Sequence, residues 1–162
     1  MISYLQPLLR RPLFMLGGLV MLVANLPLHA QSTNVNKITL STYPPTNTSV
    51  NGRIVGSYAL SNIAETDVDG TLCAGYADTN PDYVLVLGSD FPSLGLEVNS
   101  GQDTTLLIQG PSDNIVRCGQ DISRSNLDAQ IVDRNWSAGT YSIWVGAHNQ
   151  GERFSYTLTV TE

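Results

Sequence analysis

From Arg53 to the C-terminal end, short runs in which large apolar side chains alternate with polar ones recur, separated by Gly, Pro, Asn, Asp and Ser. A period of two is the signature of an extended strand with one face buried, and no run has the length or the 3.6 period of a helix. The clearest case is Thr140–Val145, where Tyr141, Ile143 and Val145 fall on one face and Thr140, Ser142 and Trp144 on the other. Phe154–Val160 repeats the pattern with Phe154, Tyr156, Leu158 and Val160. The polar, Gly-containing stretch Ala147–Arg153 between them predicts that these two strands pair as an antiparallel hairpin. Further strands are expected at Ile54–Leu60, Tyr83–Leu87, Leu94–Val98, Thr104–Gln109, Ile115–Cys118 and Ala129–Val132. Eight short strands are enough for an all-β antiparallel sandwich.

The beginning of the chain is patterned differently. Arg10 and Arg11 precede an apolar run from Leu13 to Ala24, followed by Asn25, Pro27 and the triplet Leu28-His29-Ala30. The run is too short for a membrane span, which needs about 20 apolar residues, and its order is that of a cleavable export signal over residues 1–30, cut after Ala30. Sec export is expected, since Pro12 after the arginine pair breaks the twin-arginine pattern. Residues 31–52 are rich in Ser, Thr, Asn and Pro and read as an extended polar lead-in holding one strand near Ile38–Thr42. Residues 53–162 are then the sandwich domain, a length that buries enough apolar surface to fold alone.

Charge narrows the partners. Losing residues 1–30 removes two of the eight Lys and Arg and none of the fourteen Asp and Glu, so the net charge of −6 becomes −8. The remaining cations are scattered singly among acids, which excludes nucleic acid and an anionic membrane surface, and no membrane insertion is expected after cleavage. Cys73 and Cys118 are the only cysteines, and in an oxidising compartment a bridge between them is the expected state, worth at most about 4 kcal/mol in the chain-entropy picture. Two buried free thiols are the alternative. The export signal and the bridge together place the protein in the periplasm or outside the cell.

Several segments resemble a known family. Ala138–Gly146, which opens with Gly139-Thr140-Tyr141, followed by Tyr156–Val160, looks like the closing hairpin of the bacterial pre-peptidase C-terminal domain; Ser100–Ile108 followed by Gly110-Pro111 resembles its acidic strand with a terminal turn; Cys118 with Asp121 resembles its acidic loop. The likeness runs from about Gly56 to Val160. It implies a jelly-roll-like β-sandwich with an accessory role outside the cytoplasm. Two features depart from the family's habit: no catalytic domain precedes the likeness, and the acidic pair after the loop cysteine is replaced by Gly119-Gln120-Asp121.

The chemistry-bearing side chains are sparse. Once His29 leaves with the signal, His148 is the one histidine, in a polar loop with no orienting acid at a fixed spacing, so it reads as a loop residue or part of a ligand edge rather than a general base. Bridged cysteines leave too few ligands for zinc. Asp67-Val68-Asp69-Gly70 opens like a calcium loop but lacks the distal Glu of an EF-hand, so calcium at Asp67 and Asp69, or at a site shared with Asp113 and Asp121, stands beside ordinary turn chemistry. Trp144, on the face opposite Tyr141, is either covered by a loop or a binding platform. The resulting expectation is a non-catalytic module that presents a sandwich face and acidic loops to an extracytoplasmic protein or polysaccharide; the alternative is a structural or secretion-assisting protein that supports folding or assembly of a partner.

Overall fold

The computed structural model describes residues 36–43 and 47–161, and the expected export signal with its cleavage point lies outside them. Eleven strands are formed among the described residues: β1 (Asn36–Leu40), β2 (Thr48–Arg53), β3 (Tyr58–Ala59), β4 (Tyr76–Ala77), β5 (Tyr83–Leu87), β6 (Phe91–Asn99), β7 (Thr104–Gln109), β8 (Val116–Ser123), β9 (Asn126–Trp136), β10 (Gly139–Ala147) and β11 (Ser155–Thr161). A single 3-10 turn, Leu60–Asn62, stands between β3 and β4. The strands line up as β1-β5-β10-β7-β8-β9-β6-β11-β2, with the β3–β4 ribbon attached to β10 through β4.

This path curls into two layers because β8 belongs to both. Its first half, Val116–Gly119, pairs with β7, and its second half pairs with β9 through Gln120–Gln130 and Asp121–Ala129, with a register shift between Asp121 and Ser123. The turn from one layer into the other brings β8 against β9 so closely that a Cβ on Gly119 would sit 2.4 Å from the Gln130 carbonyl oxygen. Only glycine fits at that crossing. The first sheet is thus β1-β5-β10-β7-β8 and the second β8-β9-β6-β11-β2.

Alternation decides which side chains meet between the layers. Tyr83, Leu85 and Leu87 of β5, Tyr141, Ile143 and Val145 of β10, and Leu106 and Ile108 of β7 point inward from the first sheet. Leu94, Leu96 and Val98 of β6 and Tyr156, Leu158 and Val160 of β11 meet them from the second. The inward face expected for the last two long runs is therefore the observed one. Their pairing is not: β10 bonds to β5 and β7, whereas β11 bonds to β6 and β2. The connection Ala147–Arg153 crosses the core instead of closing a hairpin. Period-two alternation fixes the face a strand buries but says nothing of its neighbour, and two strands facing each other across a core carry the same pattern as two strands side by side.

The expected lead-in, 31–52, also contributes more than one strand. Within its described part, β1 pairs in parallel with β5 and β2 closes the far side of the second sheet against β11. Conversely Ile54–Leu60 yields only the two residues of β3.

The first sheet buries its outer side as well. Leu107, Val116 and Trp144, the outward residues of β7, β8 and β10, pack with Leu60, Cys73 and Ala77 into a second apolar cluster, joined by Ile63, Ala64 and Cys118. The cover is the stretch between β2 and β5. The Cys73–Cys118 disulfide ties it to β8, as the cysteine count implied.

Candidate functional site

The cover ends in a small hairpin, Glu65–Cys73, that is hydrogen-bonded throughout. Thr66 and Leu72 form an isolated antiparallel bridge, the Cys73 N–H donates to the Glu65 carbonyl at 3.0 Å, and the Asp67 N–H donates to the Thr71 carbonyl at 2.9 Å. The Asp67 carboxylate closes the tip: its Oδ1 accepts from the N–H groups of Asp69 (3.0 Å) and Thr71 (2.8 Å). Aspartate is suited to this Asx-type turn because its short side chain reaches backbone donors two and four residues on. Gly70 takes φ +84° at the tip, a conformation that L side chains rarely adopt.

The hairpin is also anchored to the body. Val68 N–H donates to the Val116 carbonyl (3.1 Å), Cys118 N–H to Asp67 Oδ2 (3.4 Å), and Gln120 Nε2 to the Leu72 carbonyl (3.3 Å). With the disulfide at Cys118, these fix the loop to three alternate positions of β8, Val116, Cys118 and Gln120.

Despite this anchoring, two aliphatic side chains of the hairpin face water: Leu72 is 68% exposed and Val68 56%. Beside Leu72 lies a groove of about 460 Å³ whose lining includes Ala59, Ala74, Gly75, Tyr76 and Glu65. On another side, Asp67 and Asp69 share a cleft of about 210 Å³ with Arg117, Gln130, Asp133 and Val132, the last 65% exposed. Arg117 is held by an ion pair from its Nε to Asp133 Oδ2 at 2.5 Å, and its guanidinium carbon stands 4.1 Å from the centre of the Trp136 ring. The Trp136 ring is fully buried beside Tyr141, whose hydroxyl donates to the Ser137 carbonyl at 2.7 Å.

The four candidate calcium ligands are not brought together. Asp67 has its oxygens turned to backbone N–H groups and Asp69 is exposed at the hairpin tip. Asp113 sits in the β7–β8 turn, where its carbonyl accepts from Gln109 Nε2 at 2.7 Å. Asp121 lies on β8 and acts electrostatically on Asp103. Among the described residues no three His, Cys, Asp or Glu side chains are placed to hold a metal ion. The Asp-Val-Asp-Gly run folds as a turn in which Asp67 accepts from the Asp69 and Thr71 N–H groups.

His148 and Trp144 are likewise separated from the hairpin's exposed surface. The His148 side chain is half exposed, with its Nδ1 3.8 Å from Asp103 Oδ1, and the backbone N–H of His148 donates to the Asp103 carbonyl at 3.1 Å. Burial raises the Asp103 carboxyl, with Asp121 and Glu152 adding to the shift and His148 opposing it. Trp144 is 7% exposed beneath the cover, so the ring belongs to the second apolar layer and offers no platform. Another partly buried acid escaped the sequence reading: Asp82, whose Oδ2 accepts the Val145 N–H at 2.8 Å, is pushed up to about 6, chiefly by burial and to a lesser degree by Asp78. Leu72 also went unremarked, because a lone apolar residue in a polar loop carries no periodicity to single it out.

Fold and cover together define an all-β sandwich domain with one disulfide-tied outer layer. No protein-family model matches the chain, and neither does any curated protein. Among solved structures it is similar to the pre-peptidase C-terminal domain of collagenase from Bacillus anthracis, with 17% identity and a TM-score of 0.49, over 78% of this chain and 93% of that one. It is also similar to PliG from Aeromonas hydrophila, a periplasmic lysozyme inhibitor of g-type lysozyme, with 11% identity and a TM-score of 0.39, over 78% of this chain and 95% of that one.

Proposed function

We propose that this chain is a non-catalytic binding or accessory module, exported by a signal cleaved after Ala30, that docks onto a protein outside the cytoplasm through the hairpin Glu65–Cys73 and the groove beside Leu72. One observation carries the reading: a loop held by its own hydrogen bonds, by β8 and by a disulfide keeps two aliphatic side chains in water. Exposed apolar side chains beside a groove gain from being covered, and a loop already fixed in its bound shape loses little entropy on binding. Aliphatic anchors suit a protein partner better than a polysaccharide, whose surface is hydroxyl-rich. The disulfide supports the extracytoplasmic setting. The non-catalytic reading is supported by the setting of His148, the single imidazole among the described residues, in a solvated loop.

Photo-cross-linking in the producing cell tests this. A photoreactive side chain at position 72 should give a discrete protein adduct, and one at Thr159, on the outer face of the second sheet, should not. Adducts from both positions, an adduct only with polysaccharide, or none from position 72 would refute docking at the hairpin.

A further inference from the structure

The two depressions flanking the hairpin are together net negative. Their linings contain four carboxylates, Glu65, Asp67, Asp69 and Asp133, against one cation, Arg117, which Asp133 already engages. Glu65 and Asp69 are both exposed, and neither forms an ion pair with a Lys or Arg among the described residues. The whole chain is acidic as well, with a net charge of −6. Two exposed aliphatic side chains, Leu72 and Val68, therefore stand within an anionic field that repels acidic surfaces and draws cationic ones.

On this basis, and resting on the docking role argued above, we propose that the partner is a basic protein which inserts an apolar side chain into the groove beside Leu72 and sets Lys or Arg against Glu65 and Asp69. Charge supplies the selection among partners and the aliphatic contact supplies the anchor, since exposed ion pairs add little affinity by themselves. Asp67 has a different part: its oxygens hold the hairpin in shape and are not free to meet the partner.

Two end-blocked probe peptides that differ only in charge separate these contributions, one alternating leucine with lysine and the other alternating leucine with glutamate. By fluorescence anisotropy with the disulfide intact, the lysine peptide should bind at least about tenfold tighter, and its binding should weaken as NaCl is raised, because exposed charges are screened. Glu65→Gln with Asp69→Asn should remove that preference, and Leu72→Ser should weaken the lysine peptide about tenfold or more. Leu127→Ser, at an exposed aliphatic site on β9 outside both depressions, is the control for nonspecific apolar contact and should change binding less than Leu72→Ser. Equal binding of the two peptides, no binding of either, or indifference to the charge variants overturns the basic-partner assignment. If both peptides bind equally and Leu72→Ser abolishes both, docking at the hairpin stands while the partner's charge is wrong. Far-UV circular dichroism of each variant establishes that a loss of binding is not a loss of fold.

Discussion

At the scale of single residues, Asp82 links stability to pH in the direction opposite to most acids. Its carboxyl sits at about 6 in the fold against 3.8 for an ordinary aspartate, so the folded state holds the proton more firmly than the unfolded chain does. Its contribution is accordingly most favourable below about pH 4 and declines as pH rises to about 6. The full shift corresponds to at most about 3 kcal/mol. Asp82→Asn keeps an acceptor for the Val145 N–H but never charges; its melting temperature should exceed that of the parent at pH 7.5 and converge with it at pH 4. Parallel pH profiles for the two would show that Asp82 is not the group responsible. The sequence offered no sign of this, because the shift comes chiefly from burial just before β5, which depends on how the strands pack, while the Val145 N–H on β10, 63 residues away, opposes it. Asp67 shows the same limit from the other side: its spacing to Asp69 and Gly70 is written in the chain, but whether its oxygens take a cation or N–H groups is decided by the path of the loop.

Among elements, short apolar runs bounded by turn residues were readable: Tyr83–Leu87 and Thr104–Gln109 are β5 and β7 to the residue, and both faces of the alternating β10 fall where the pattern puts them. Ser142 lies on the outer side while Ile143 is fully buried, so Ile143→Ala should cost about 2 to 4 kcal/mol and Ser142→Ala less than about 0.5, by urea denaturation. Trp144→Ala should be as damaging as Ile143→Ala, about 3 kcal/mol or more, because the cover makes its face a second core. A mild Trp144→Ala would mean that the cover does not close over the ring. What the pattern missed was the segment from Ile54 to Ala77. It forms almost no strand and is ordered by a 3-10 turn, the Leu60 N–H bond to the Gly75 carbonyl, and the disulfide, none of which leaves a periodic trace. Replacing both cysteines with alanine should remove about 2 to 4 kcal/mol and open this segment to proteolysis before the sandwich itself unfolds. Simultaneous loss of cover and sandwich would show that the two are one cooperative unit.

For the molecule as a whole, composition and the two cysteines pointed correctly to an all-β, bridged domain, while strand order did not follow from any local signal. Pairing in this fold is overwhelmingly distant in sequence: β2 meets β11 and β1 meets β5, so neighbours along the chain are seldom neighbours in a sheet. β8 has a further consequence. Only its second half has a partner strand in β9, which leaves the side of Val116–Cys118 away from β7 without a strand of its own. The hairpin fills that place, with Val68 N–H on the Val116 carbonyl and Asp67 Oδ2 on the Cys118 N–H. Unfilled backbone of this kind is a template for a strand from another molecule, and a carboxylate seated on it is an effective guard against self-association. Asp67→Ala should therefore do more than loosen a turn: sedimentation velocity should show concentration-dependent dimers or larger species where the parent stays monomeric. If the variant remains monomeric at every concentration, the guard lies elsewhere. If Asp67 is that guard, the hairpin proposed to meet a partner is also the surface that keeps the protein from meeting itself.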